Sequence, residues 1–167
     1  MKNLFVLSVM TVLMLAVACG GVDKELLGKL QTDLTQLEGL APAYEAMGVN
    51  INNLTTQLNA VPEGMKTETN PEYQNMLRLN NTMTQKYQAT MAEQSDLTNK
   101  FRTLIGDYTA GKIKTEDALK EYETLSAGVK GLVELLDRMN KKIDNIQTEY
   151  AKMSANMNAA AEKAAGK

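Results

Sequence analysis

Beyond residue 22 the apolar residues recur at helical spacing in three long stretches, and the third is the most regular. Ala118, Tyr122, Leu125, Val129, Leu132, Leu136, Met139, Ile143, Ile146, Tyr150, Met153, Met157 and Ala160 follow one another in alternating steps of four and three. An unbroken run of such steps predicts one amphipathic helix with a narrow apolar seam. A strict repeat of about 3.5 residues implies left-handed supercoiling against partner helices. Thr115 suits the N-cap, with Glu116 and Asp117 in the first turn beside the positive end of the helix dipole. Gly128 and Gly131 are weak points, each costing about 1 kcal/mol relative to alanine.

The first stretch starts at Asp23, a plausible cap. Leu27, Leu30, Leu34 and Leu37 form one seam, and Leu40, Tyr44, Met47, Ile51, Leu54, Leu58 and Val61 form another. The two join through a three-residue step from Leu37 to Leu40, with Gly39 and Pro42 at the junction. Proline removes one helical hydrogen bond and bends the axis, so this stretch is either one kinked helix or two helices in line. Residues 62–70, PEGMKTETN, read as a loop, and Asn70-Pro71-Glu72 as cap, first-turn proline and first-turn acid of the next helix. The second stretch carries Tyr73, Met76, Leu77, Met83, Tyr87, Met91, Leu97, Phe101, Leu104, Ile105 and Tyr108, with the polar residues Asn80, Thr84, Gln94 and Thr98 in its seam. Ala110-Gly111-Lys112 closes it.

Helices are therefore expected over about 23–61, 71–109 and 115–163, followed by a tail at 164–167. Short loops between long helices make antiparallel neighbours. The expected fold is all-α: an elongated antiparallel three-helix coiled-coil bundle over 23–163, its first helix kinked near Pro42. An open hairpin that completes its core by oligomerising is the alternative. The scarcity of proline, three in 167 residues, agrees with helix over sheet.

Ahead of the helices stands MKNLFVLSVMTVLMLAVAC: Lys2 as a positive start, an uncharged apolar run from Leu4 to Ala18, then a small-residue triplet. The run is too short to span a bilayer comfortably and has the build of a cleaved signal peptide. The triplet and its neighbour, Ala16-Val17-Ala18-Cys19, resemble the lipobox of the bacterial lipoprotein signal class, with Ala16 where leucine is usual. The resemblance covers residues 1–19. It implies cleavage between Ala18 and Cys19, removal of residues 1–18, and diacylglyceryl and palmitate-type acyl chains on Cys19, with residues 19–22 as a short tether. Anchoring by two or three chains is stable because each buried methylene adds about 0.8 kcal/mol. Gly20, where a retention signal of the class has aspartate, points to the outer membrane, facing the periplasm.

Charge and composition narrow the chemistry. Eighteen basic residues are scattered among 20 acidic ones, with none of the clustering that phosphate neutralisation needs, so nucleic acid is not an expected partner. The chain has no histidine, the usual general base and commonest metal ligand, and its single cysteine excludes an internal disulfide. No phosphate loop and no nucleophile with a base is visible. The methionines at 47, 65, 76, 83, 91, 139, 153 and 157 invite a copper(I) reading, but most lie on the seams, where methionine fills irregular core space. Glu116, Asp117, Glu121 and Glu123 read as a solvated helix start. The seam polars read as devices that fix helix register.

The C-terminal residue, Lys167, follows an alanine-rich helical tail. With the lipid anchor it resembles the murein-lipoprotein (Braun-type) class, which implies peptidoglycan attachment through its amine. The chain is thus expected to be no enzyme, with no cofactor, no metal and no small-molecule substrate. The expected role is a lipid-anchored spacer, scaffold or protein-interaction module of the bacterial envelope, held to the membrane through Cys19 and engaging a protein partner or itself. A surface-displayed, adhesin-like binding lipoprotein and a peptidoglycan linker through Lys167 are the alternatives.

Overall fold

A computed structural model describes residues 22–68 and 70–165, with side chains as far as Ala159. Four α-helices follow in order: α1 Lys24–Gly39, α2 Ala41–Asn59, α3 Pro71–Thr109 and α4 Thr115–Ala165, with a single 3-10 turn at Glu63–Met65. The described residues contain no strand.

Local chemistry sets these boundaries. Asp23 caps α1, its carboxylate accepting from the amides of Glu25 at 2.8 Å and Leu26 at 3.3 Å. The helix is interrupted at Leu40, whose amide turns back to the Leu37 carbonyl at 3.2 Å. Pro42, in the first turn of α2, has no N–H to give the Glu38 carbonyl four residues back. Asn70 caps the start of α3, its Oδ1 accepting from the Tyr73 amide, while its Nδ2 donates to the Met65 carbonyl and ties the cap to the preceding 3-10 turn. At the far end Gly111 has φ +69, Lys112 N–H reaches the Asp107 carbonyl and Gly111 N–H that of Tyr108. This is a Schellman ending, and its left-handed residue needs glycine.

The chain folds into two compact units, each made of three packed helical stretches. Unit 1 comprises the described chain from Val22 to Leu40 together with Gln94–Gly131. Its core is Leu26, Leu27, Leu30 and Leu37 of α1, Leu97, Phe101, Leu104, Ile105 and Tyr108 of α3, and Ala118, Leu125 and Val129 of α4. Gln94 Nε2 donates to the Leu37 carbonyl at 2.9 Å, and Arg102 pairs with Glu38 at 2.8 Å. Unit 2 comprises Ala41–Glu93 and the chain from Leu132 on. Tyr44, Met47, Ile51, Leu54, Leu58 and Val61 pack there with Tyr73, Met76 and Met83 and with Leu132, Leu136, Met139, Ile143, Ile146 and Met153. Burying a side chain of this size is worth about 1.5–3 kcal/mol, so the seams supply the main drive to fold.

The α4 stripe is the buried stripe: nine of its positions from Ala118 to Met153 are buried, and Tyr122, Tyr150 and Met157 are half-buried. Two details differ from the sequence reading. On α3, Met91 is 42 % exposed and the buried position is Thr90. A step of three from Tyr87 lands on Thr90, whose hydroxyl bonds the Lys86 carbonyl of its own helix at 2.6 Å and so enters the core without an orphaned donor. On α1, Asp33 is as half-buried as Leu34. With Asp33 counted, Leu26, Leu30, Asp33, Leu37, Leu40, Tyr44 and Met47 alternate steps of four and three, and no register break at Leu37–Leu40 remains. The helix bounds also shift: Asp23 is a cap, residues 60 and 61 lie outside α2, and α4 continues to Ala165.

Candidate functional site

The residues expected to carry the chemistry of anchoring, Ala18 and Cys19, and the terminal Lys167 lie outside the described residues. The cap of α1, Asp23, four residues after Cys19, is described. Asp23 N–H donates to the Tyr108 phenol at 2.7 Å, and the same oxygen lies 3.1 Å from Thr115 Oγ1. One buried hydroxyl thus joins the beginning of α1, the last turn of α3 and Thr115, which is the first residue of α4 rather than its cap, since the Ala118 amide closes on the Lys114 carbonyl. In the intervening turn Lys112 pairs with Asp107 at 2.8 Å, and that hydrogen bond and charge raise the lysine's pKa. Glu25 does the same for Lys29. Both lysines are surface groups, and such pairs contribute little stability.

The polar seam residues find partners inside the fold. Thr84 and Thr98 bond the carbonyls of Asn80 and Gln94 one turn back, and Gln94 bonds Leu37 as described. Asn80 is 3 % exposed; its Nδ2 donates to Thr55 Oγ1 at 2.9 Å, while its Oδ1 is buried without a partner. Thr90, which the sequence reading passed over, adds a contact of 3.6 Å to the Met139 sulfur. The signal that would have found it is seam spacing, followed past a polar residue. Asp33 Oδ2 is likewise buried and unpartnered.

A tyrosine pair joins the first turn of α2 to the middle of α3. The rings of Tyr44 and Tyr87 are 6.5 Å apart and tilted by 50°, a favourable separation for aromatic contact. Tyr44 is 3 % exposed and its hydroxyl has no partner. Burial pushes its pKa up to about 12, helped by the charges of Glu93 and Tyr87. Gly48 makes the approach possible, because a Cβ there would lie 2.6 Å from the Tyr87 hydroxyl.

Met47, Met76, Met83, Met139 and Met153 are buried as core residues. Glu116, Asp117, Glu121 and Glu123 are exposed, and no group of three or more His, Cys, Asp or Glu side chains among the described residues is placed to hold a metal ion. No described helix is long and apolar enough to cross a membrane.

Unit 2 carries a surface groove of about 470 Å³ between α3 and α4. Met76, Leu79 and Ile146 give it an apolar floor, and Arg138, Lys141 and Lys142 give it a basic rim. Asn145 and Glu149 complete the lining, with Glu149 paired to Lys152 at 2.6 Å. Arg138 and Lys141 form exposed pairs with Glu134 and Asp137 on their own helix. Lys142 has no carboxylate partner among the described residues.

Comparison of the chain with protein-family models, with curated proteins and with solved structures finds no significant match.

Proposed function

We propose that the chain is a non-enzymatic, lipid-anchored helical protein of the bacterial cell envelope, acting as a spacer, scaffold or protein-interaction module. The observation that carries this reading is the sequence Ala16-Val17-Ala18-Cys19 at the end of a signal-like apolar run, just ahead of the cap of α1. Acylation at Cys19 would hold the helices to the membrane surface, the outer membrane on its periplasmic side, through residues 19–22. The seam chemistry supports a structural role. Its threonines and Gln94 spend their hydrogen bonds within the fold, as register-fixing residues do.

An antiparallel coiled-coil course belongs to the same proposal. In unit 1, Asp23 meets Tyr108 and Leu37 meets Gln94, so positions advance on α1 as they retreat on α3. In unit 2, Gly48 meets Tyr87 and Thr55 meets Asn80 in the same sense. A bend in the first helix rests on the interruption at Leu40 and the missing amide of Pro42.

The test is the intact mass of the protein from its native cells after lysozyme digestion. Acyl mass on a species beginning at Cys19 supports the anchor, and an unlipidated species beginning there overturns it. Lys167 favours a second reading, a peptidoglycan linker, for which muropeptide mass at the C-terminus is the sign. Surface display would instead appear as proteolysis of the protein on whole cells.

A further inference from the structure

We propose that the basic groove of unit 2 receives the Leu119 face of a second copy of this chain, so that copies associate head to tail. The groove joins an apolar floor of Met76, Leu79 and Ile146 to the cations Arg138, Lys141 and Lys142. Its ligand should therefore present one apolar side chain flanked by carboxylates. The chain displays such a face. Leu119 is 42 % exposed near the start of α4, off the seam and next to its buried first residue Ala118. Glu116 lies three residues before it and Glu123 four after it, which puts both carboxylates on its helical face. Both are exposed, and neither enters an ion pair among the described residues.

The match is one of shape and charge together. Leu119 fills the hollow, Glu116 and Glu123 meet the rim, and Lys142 gains the partner it lacks. The helix-internal pairs of Arg138 and Lys141 are exposed and weak, so they exchange readily for intermolecular ones. The two surfaces differ, so the contact is heterologous: repeated, it makes a ring or an open chain. The contact is small, but copies held on one membrane have a raised local concentration that favours it. This inference deepens the interaction-module reading and rests on it, while the mass measurement tests the anchor separately.

The test is site-specific photocrosslinking in native cells, with the reactive side chain in place of Leu119 in the full chain. The expected product is a homodimer whose crosslink maps to residues 76–79 or 138–149. Lys142→Glu and Glu123→Lys should each lower its yield about tenfold, since reversal replaces attraction with repulsion. The two together in one chain should restore it. Both positions are exposed, and circular dichroism of each variant checks that its helices persist. The absence of a homodimer, a crosslink mapping elsewhere, or a yield indifferent to the reversals overturns the proposal. So does an adduct to another protein or to lipid that Lys142→Glu does not affect.

Discussion

The amide of Asp23 donates to the phenol oxygen of Tyr108 at 2.7 Å, across 85 residues of sequence. Because that oxygen also pairs with Thr115 Oγ1, Tyr108→Phe removes two hydrogen bonds from one buried point and leaves the packing of the ring. A loss of about 1–3 kcal/mol is expected in urea unfolding. Amide exchange at Asp23 should accelerate more than exchange in the middle of α3. Unchanged exchange at Asp23 would show that the junction holds without the hydroxyl.

Gly48 and the exposed glycines should respond to alanine in opposite directions. A Cβ at Gly48 meets Tyr87 Oη at 2.6 Å and Cζ at 3.1 Å, whereas at Gly28 and Gly131 it meets nothing within 4 Å. Gly28→Ala and Gly131→Ala should each stabilise by about 0.5–1 kcal/mol through helix propensity. Gly48→Ala should lose more than that gain, and Tyr87→Phe should relieve part of the loss in a double-mutant cycle. Additivity of the two changes would place the strain elsewhere.

Alkaline pH should destabilise the fold through Tyr44. Its pKa is raised from 10.0 to about 12 in the folded chain. The protonated phenol is thus favoured by folding, and its contribution is complete below pH 10 and lost as pH rises from 10 towards 12. Tyr44→Phe should flatten this part of the stability profile. At pH 7 it should cost little, because the hydroxyl has no partner to lose. An identical slope in wild type and variant, followed by thermal melts across that range, would refute the assignment.

Asn80 offers a contrast between removing a half-satisfied amide and orphaning it. Asn80→Leu removes the buried Oδ1 that lacks a partner, and Thr55 Oγ1 keeps its bond to the Ile51 carbonyl. The unfolding midpoint should rise. Thr55→Ala leaves Asn80 Nδ2 unpaired and should cost about 1–3 kcal/mol. A fall in both variants would mean that the amide stabilises the core as it stands.

The apolar repeat of α4 was fully legible because every seam position from Ala118 to Met157 is an apolar residue, so spacing and chemistry coincide. So was the start of α3, where Asn70 and Pro71 act through local geometry alone. On α3 the two signals part. Met91 is apolar but off the seam, and Thr90 is polar but on it, its hydroxyl satisfied by its own backbone. Asp33 hid the continuity of the first stretch in the same way, behind the neighbouring Leu34. The Asp23–Tyr108–Thr115 junction and the Tyr44–Tyr87 pair depend on which helix levels meet, and periodicity along one helix does not fix that. The groove is of the same kind, since α3 and α4 each supply part of its floor.

Each unit is assembled from pieces of the described chain far apart in order: residues 22–40 with 94–131, and 41–93 with 132–165. A nascent polypeptide of about 100 residues has therefore made the first helices and most of α3, yet neither core, since both await α4. Folding is deferred to the end of synthesis. Under the envelope role proposed above that timing would be useful: a chain without a finished core would stay threadable during export and close once its last third had come through.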